Sequence, residues 1–274
     1  MRRRPPPAPR TLRGLTLSAA FALAACTTFP SGAPATAEDA PVARRVALLL
    51  PADALLIGEQ HDAPEHHVME REIVQALADS GRLAALTIEM AEEGNTTAYL
   101  PPTATESQVR TALSWDEIAW AWSDYGPAVM AAVRAGAPVI GANLPREHMK
   151  DAMADVSLDA QLGDDARMAQ RDAVRSGHCN LLPESQIAPM TRIQIARDRA
   201  MAQAVVKARV PGKTVLLVSG AGHGNKQVGV PQHLPTDVSV KAVRMRAGPP
   251  DGADRAFDAV WPTPALPETD YCAG

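Results

Sequence analysis

Short apolar runs alternate along this chain with longer amphipathic stretches. Runs such as Ala54-Leu55-Leu56-Ile57 and Thr214-Val-Leu-Leu-Val-Ser219 are four to eight residues long and bounded by turn residues, which predicts buried strands. On that pattern strands are expected over 54–58, 84–89, 138–142, 214–219 and 238–245, with a late one around 257–261. The intervening segments have helical spacing. Val68, Ile73, Val74 and Leu77 follow Asp62, a suitable N-cap, and Pro64, a first-turn residue; the pattern stops before Gly81. A second helix is expected over 128–135 after Tyr125-Gly126-Pro127, and the longest over 189–209, ended by Pro211-Gly212. Strands alternating with helices predict an α/β fold, a mainly parallel sheet flanked by helices. Residues 150–187 break the alternation with helical stretches rich in Asp, Met, Gln and Arg, and are expected to form a helical insertion between the third and fourth strands. Insertions of this size commonly cover or adapt a binding edge.

The N-terminal segment changes the picture of where the fold begins. Arg2, Arg3, Arg4, Arg10 and Arg13 precede an apolar stretch over 14–25, which is too short to span a bilayer and suits a secretory signal. Leu23-Ala24-Ala25-Cys26 resembles a bacterial lipobox. This predicts a signal peptide over 1–25, an acylated Cys26 anchoring the protein to a membrane, a flexible tether over 26–41, and one α/β domain over 42–274. Thr27, after the cysteine, resembles outer-membrane sorting, so the expected location is the bacterial cell envelope. Removing residues 1–25 takes five arginines and no acid, so 27 basic side chains become 22, against 31 acidic ones. Such a surface does not favour a nucleic-acid backbone. The remaining cysteines, Cys179 and Cys272, would sit in an oxidising compartment and lack CxxC neighbours, so a disulfide is expected rather than a metal site.

Chemistry concentrates where the strands end. Glu59 and His61 follow the first strand, Glu89 the second, Asn143 and Arg146 the third, and His223 the fourth. Parallel strands present their C-terminal ends on one edge, where ligands usually sit. Glu59, His61, Glu89 and His223 converging there would bind a divalent metal, or act without metal as a catalytic acid–base set, with Asn143 and Arg146 in support. The alternative is that these groups cap helices or tie loops together. His66 and His67 occupy adjacent helical positions about 100° apart, so at most one can face the same edge; solvated or packing roles are expected for both. His178, beside Cys179, is expected to be held by the bridge, and His148 and His233 to be surface or loop residues. Gly220-Ala-Gly-His-Gly lacks the glycine spacing and following helix of a dinucleotide fingerprint.

Taken together, GEQHD at the first strand exit, IEM at the second, GANLPRE (141–147), IQIARDRAMA (193–202) and GAGHGNKQVGVP (220–231) resemble the ChaN family of haem-binding uptake proteins. That family belongs to the Tiki superfamily, alongside erythromycin-esterase-like and Tiki-type protease relatives. The resemblance covers residues 45–245 and rests on five motifs in order. It implies a haem-binding lipoprotein of iron acquisition, with the iron held by a tyrosine and haems paired across a homodimer. The protease relatives imply a metal-dependent hydrolase as the other reading, and Gly58-Glu-Gln-His61 fits their GxxH spacing. The chain's tyrosines are Tyr99, Tyr125 and Tyr271, none within the insertion, so the iron ligand has no matched position. Met149, Met153, Leu162 and Met168 could offer an apolar face for a porphyrin.

Overall fold

The six apolar runs pair into a single sheet in the computed structural model of the protein, which describes residues 1–3 and 40–273. The signal peptide over 1–25, Cys26 and all but the end of the tether lie outside the described residues. In chain order the elements are α1 (Val42–Leu49), β1 (Ala54–Glu59), α2 (Pro64–Asp79), β2 (Leu83–Glu92), α3 (Glu106–Ala112), α4 (Trp122–Arg134), β3 (Val139–Asn143), α5 (Met149–Ala154), α6 (Asp164–Gly177), α7 (Glu184–Lys207), β4 (Thr214–Gly220), α8 (Ala221–Gly224), β5 (Val240–Ala247) and β6 (Ala259–Thr263). The strand order is β3-β2-β4-β1-β5-β6, and every neighbouring pair is parallel. All residues of the adjacent strands β1 and β4 are buried, which is why both read as unbroken apolar runs.

Alternate side chains of these strands feed two cores. Leu55, Ile57, Leu216 and Val218 pack toward α2 and α4 with Ile73, Leu77, Val129 and Val133. Ala54, Leu56, Val215 and Leu217 pack toward α7 with Met201 and Val205. The sheet is thus covered on both faces, and its C-terminal edge is where polar side chains can emerge.

Three local expectations are corrected. The N-cap of α2 is Ala63 rather than Asp62, because Gln60 and Ala63 close a turn that places Asp62 outside the helix. The helix is also rotated from its expected phase: Val68 is 51% exposed, while His66, His67 and Glu70 are buried with Ile73, Val74 and Leu77. Helix α4 begins at Trp122, so Tyr125 and Pro127 lie inside it. Gly126 is required there, since a Cβ would lie 2.6 Å from the Trp122 indole.

Helices α5 and α6 and the first turns of α7 fill the segment between β3 and β4. Cys179, just past α6, is bridged to Cys272 near the C-terminus. After β6 the chain runs along the surface. Among the described residues, 264–273 make backbone hydrogen bonds only within the tail, and their side-chain tie to the domain is the Tyr271 hydroxyl donating to Asp62. Ordering a residue costs about 1–2 kcal/mol of backbone entropy, and one hydrogen bond to a charged group contributes about 1.5–3 kcal/mol. The disulfide therefore holds this segment in place.

Candidate functional site

Glu59, the last residue of β1, is buried and acts as a hub. Its Oε1 accepts hydrogen bonds from His61 Nδ1 at 2.7 Å and from the Tyr125 hydroxyl at 2.9 Å, and His67 Nε2 lies 3.3 Å from Oε2. Burial would raise this carboxyl, but the neighbouring His61, His67 and Glu70 outweigh it and hold Glu59 well below the usual carboxylate range. Glu70 is fully buried behind it on α2. Burial, then the charge of Glu59, push Glu70 well above the ordinary value, so it keeps its proton, and neither of its oxygens has a hydrogen-bond partner. Tyr125 is pushed up by burial and by Glu59 and stays a neutral phenol.

Glu89, within β2, is the second hub. It pairs with the Arg197 guanidinium from α7 and accepts the Gly220 backbone N–H at 2.7 Å. His223 Nε2 lies 3.6 Å from Oε1 and His61 Nε2 lies 3.9 Å from Oε2. Burial alone would raise Glu89; the charges of His223, Arg197 and His61 hold it well below the usual range. His223 Nδ1 is bound to the buried Asp198 at 2.6 Å. Burial opposes the charge on His223, yet Glu89 and Asp198 prevail and push it up to about 9. Burial also opposes protonation of His61, and Glu59 and Glu89 raise it nonetheless. Gly220 permits the close approach of the two strand exits, since a Cβ would lie 2.9 Å from His61 Nε2.

The structure places Glu59, His61, Glu89 and His223 together at the edge. Among the described residues no three His, Cys, Asp or Glu side chains are arranged to hold a metal ion, so the geometry does not support the divalent-metal expectation. Arg197 and the Gly220 N–H already engage Glu89, and His61 and Tyr125 engage Oε1 of Glu59, whose Oε2 has no hydrogen-bond partner. Asn143 supports the edge by accepting Arg197 Nε at 2.9 Å. Arg146 does not reach it. The turn after β3 directs its side chain, 75% exposed, toward Asp116, and its backbone N–H is bound by Glu92.

His67 faces the site, contrary to its expected packing role, and is packed edge-on against Tyr125. His66 is also buried, but points away: Nδ1 accepts the Gln60 N–H and Nε2 donates to Thr263 Oγ1, tying the β1 exit loop to β6. His178 is held by Val174 O, His148 is exposed, and His233 is half-buried, where burial and Arg199 lower it to about 4. The proposed methionine face is not formed on this edge. Leu162 packs in a small core with Ala152, Leu158 and Ile195, and Met168 is 60% exposed.

Above the two hubs lies an open cleft of about 620 Å³, lined by Glu59, Gln60, His61, Asp62, Glu89, Arg197, residues 220–223 and Tyr271. A pocket of that volume suits a small molecule or cofactor. Trp120 packs edge-on against His61 with ring centroids 4.9 Å apart. Under α6 a cavity of about 250 Å³ shares Gly222 and His223 with the cleft, so the inserted helix covers the back of His223.

Arg197, Asp198, Glu70 and Trp120 were not singled out from the sequence, and His67, Tyr125 and Tyr271 were named there without a place in the site. Asp198 and Glu70 carried a signal. Each falls on the buried stripe of its helix, with Ile187, Thr191, Ile195, Ala202 and Val205 in α7 and with Ile73, Val74 and Leu77 in α2. A charge on such a stripe must meet a partner.

The sequence model of a family described as haem-binding uptake, Tiki superfamily, ChaN matches residues 46–234. Among solved structures, ChaN of Campylobacter jejuni, described with cofacial haem binding, is similar at 24% identity over 79% of this chain and 89% of that chain, with a TM-score of 0.66. The type III effector HopBA1 is similar at 18% identity over 82% of this chain and 94% of that chain, with a TM-score of 0.44. The first likeness agrees with the six-stranded parallel α/β architecture. Among curated proteins, none matches.

Proposed function

We propose a haem-binding role for this chain, which belongs to the haem-binding uptake family, ChaN, of the Tiki superfamily. The observation that carries the reading is the cleft itself, because two side chains able to bind iron line it together. The His61 side chain is 40% exposed and has Nδ1 engaged by Glu59, which leaves Nε2 for a ligand. Tyr271 is 68% exposed, and its hydroxyl donates to Asp62, a carboxylate placed to take the phenol proton. A carboxylate behind an imidazole fixes its tautomer and raises its basicity as a ligand. These residues fit a haem: His61 through Nε2 and Tyr271 through its phenolic oxygen would hold the iron, and the edge of Trp120 beside His61 adds apolar surface. When bound, haem would supply the iron to be carried. The rest of the site keeps Glu59 and Glu89 charged and fixed, so His61 is oriented in advance.

In this reading the protein acts in iron acquisition in the cell envelope, anchored to the outer membrane through lipid on Cys26. Cys26→Ser would then release it from the membrane fraction; unchanged fractionation would reject the anchor. Pairing of two copies around their haems is the corresponding assembly, and sedimentation with and without haemin tests it. Titration of the protein with haemin should give a saturable Soret shift that weakens in His61→Ala and Tyr271→Phe. One observation favours a second reading: His223, held between Glu89 and buried Asp198, has the arrangement of an acid–base group. Loss of turnover of an ester or peptide in His223→Ala, with haemin binding intact, would support that reading.

A further inference from the structure

We propose that the Cys179–Cys272 bridge is an exchangeable disulfide whose reduction by an external dithiol opens the cleft by freeing Tyr271. Three observations carry this. First, Tyr271 adjoins Cys272 and lines the cleft, while among the described residues the tail that bears it is hydrogen-bonded to the domain only through the Tyr271 side chain and is joined to it covalently by the bridge. Secondly, the bridge can be reached, since Cys272 is exposed and Cys179 half-buried. Thirdly, the other end of the bridge belongs to the inserted segment. Gln170, Val174, Gly177 and His178 of that segment line the cavity that shares Gly222 and His223 with the cleft. Cys179 and Asn180 are consecutive non-glycine residues with φ of +58° and +57°, a strained turn that presents the sulfur at the end of α6. Cutting one covalent bond thus loosens both the tail and the insertion at the cleft.

The exchange follows ordinary thiol chemistry. A thiolate of the dithiol attacks Cys272 Sγ, the S–S bond breaks, and its electron pair leaves on Cys179 Sγ, which takes a proton. The second thiol then attacks the mixed disulfide and releases Cys272, also protonated. The bridge gains two electrons and two protons, and the dithiol is oxidised to its own disulfide. A thioredoxin-like partner with a CxxC pair has the required chemistry. The consequence for cargo rests on the haem reading of the cleft; release of the tail does not.

The test uses the intact protein and the double variant Cys179→Ser, Cys272→Ser, with a phosphine reductant removed before measurement. Carboxypeptidase digestion followed by intact mass should remove Tyr271 at least tenfold faster after reduction, and equally fast in the variant. Equal trimming of oxidised and reduced protein would overturn the proposal. Haemin should bind at least tenfold more weakly to reduced protein and to the variant, with no further effect of reduction on the variant. A freed tail with unchanged haemin affinity would also overturn it. Should haemin bind neither state, the haem reading fails and the gate is judged by diethyl pyrocarbonate modification of His61. Faster modification after reduction supports the gate, and an unchanged rate rejects it.

Discussion

The charge on His223 makes a definite claim about stability and pH. In the folded protein this imidazole is pushed from an ordinary 6.5 up to about 9 by Glu89 and Asp198. A group whose folded pKa is raised contributes stability that is fully present below its unfolded value and is lost as the pH rises through its folded value. Here the window runs from pH 6.5 to about 9, and the size of the shift corresponds to about 3 kcal/mol. His61, also raised, adds in the same direction. Urea unfolding at intervals between pH 6 and 10, with the disulfide intact, should show the wild-type midpoint falling by roughly 1 M across the window, given a slope of about 2–3 kcal/mol per M. His223→Gln removes the titrating group, so its advantage lost to alkali should be smaller by about 3 kcal/mol. Identical pH slopes in the two proteins, or an imidazole signal for His223 titrating near 6.5, would refute the reasoning.

Other perturbations probe the remaining supports. Arg197→Met leaves Glu89 buried without its guanidinium and should destabilise the protein by about 3–5 kcal/mol at pH 7; a loss under 1 kcal/mol in urea unfolding would show that the pair is not supporting the edge. Gly220→Ala puts a Cβ 2.9 Å from His61 Nε2, so the ring must move, and the His61 NMR signals should shift with only a modest change in stability. Replacing Cys179 and Cys272 by Ser opens a closure spanning 93 residues, for which chain entropy allows up to about 4–5 kcal/mol; a smaller measured loss would mean that the unbridged tail was already restricted.

The strand pattern was legible because β1 and β4 are buried on both faces, so their unbroken aliphatic runs have a single reading. Strand exits then pointed to Glu59, His61, Glu89 and His223, since a parallel sheet leaves no other edge for them. Helix phase was less legible. Val68 belongs to an apolar pattern by composition, but it is exposed, and His67, 3.3 Å from Glu59, and Glu70 lie on the buried face of α2 instead. Arg197 could not be assigned from local pattern, because its partners Glu89 and Asn143 lie 108 and 54 positions away in the chain. The place of Tyr271 was not legible for another reason: the bridge from Cys272 to Cys179, 93 positions away, and the bond from Tyr271 to Asp62 bring the tail to the cleft. A pairing inferred from compartment says that two cysteines join, not what the neighbouring residue then touches.

The account stands most directly on a haemin titration followed by absorbance, run at several pH values on wild type, His61→Ala and Tyr271→Phe. Binding requires the ligand atom to be free of its proton, and both His61 and Tyr271 hold theirs more tightly than usual. The predicted result is a saturable Soret shift in the wild type that weakens as the pH falls, and weakens at every pH in each variant. A titration without saturation, or one that both substitutions leave unchanged, would contradict the assignment of this cleft to haem.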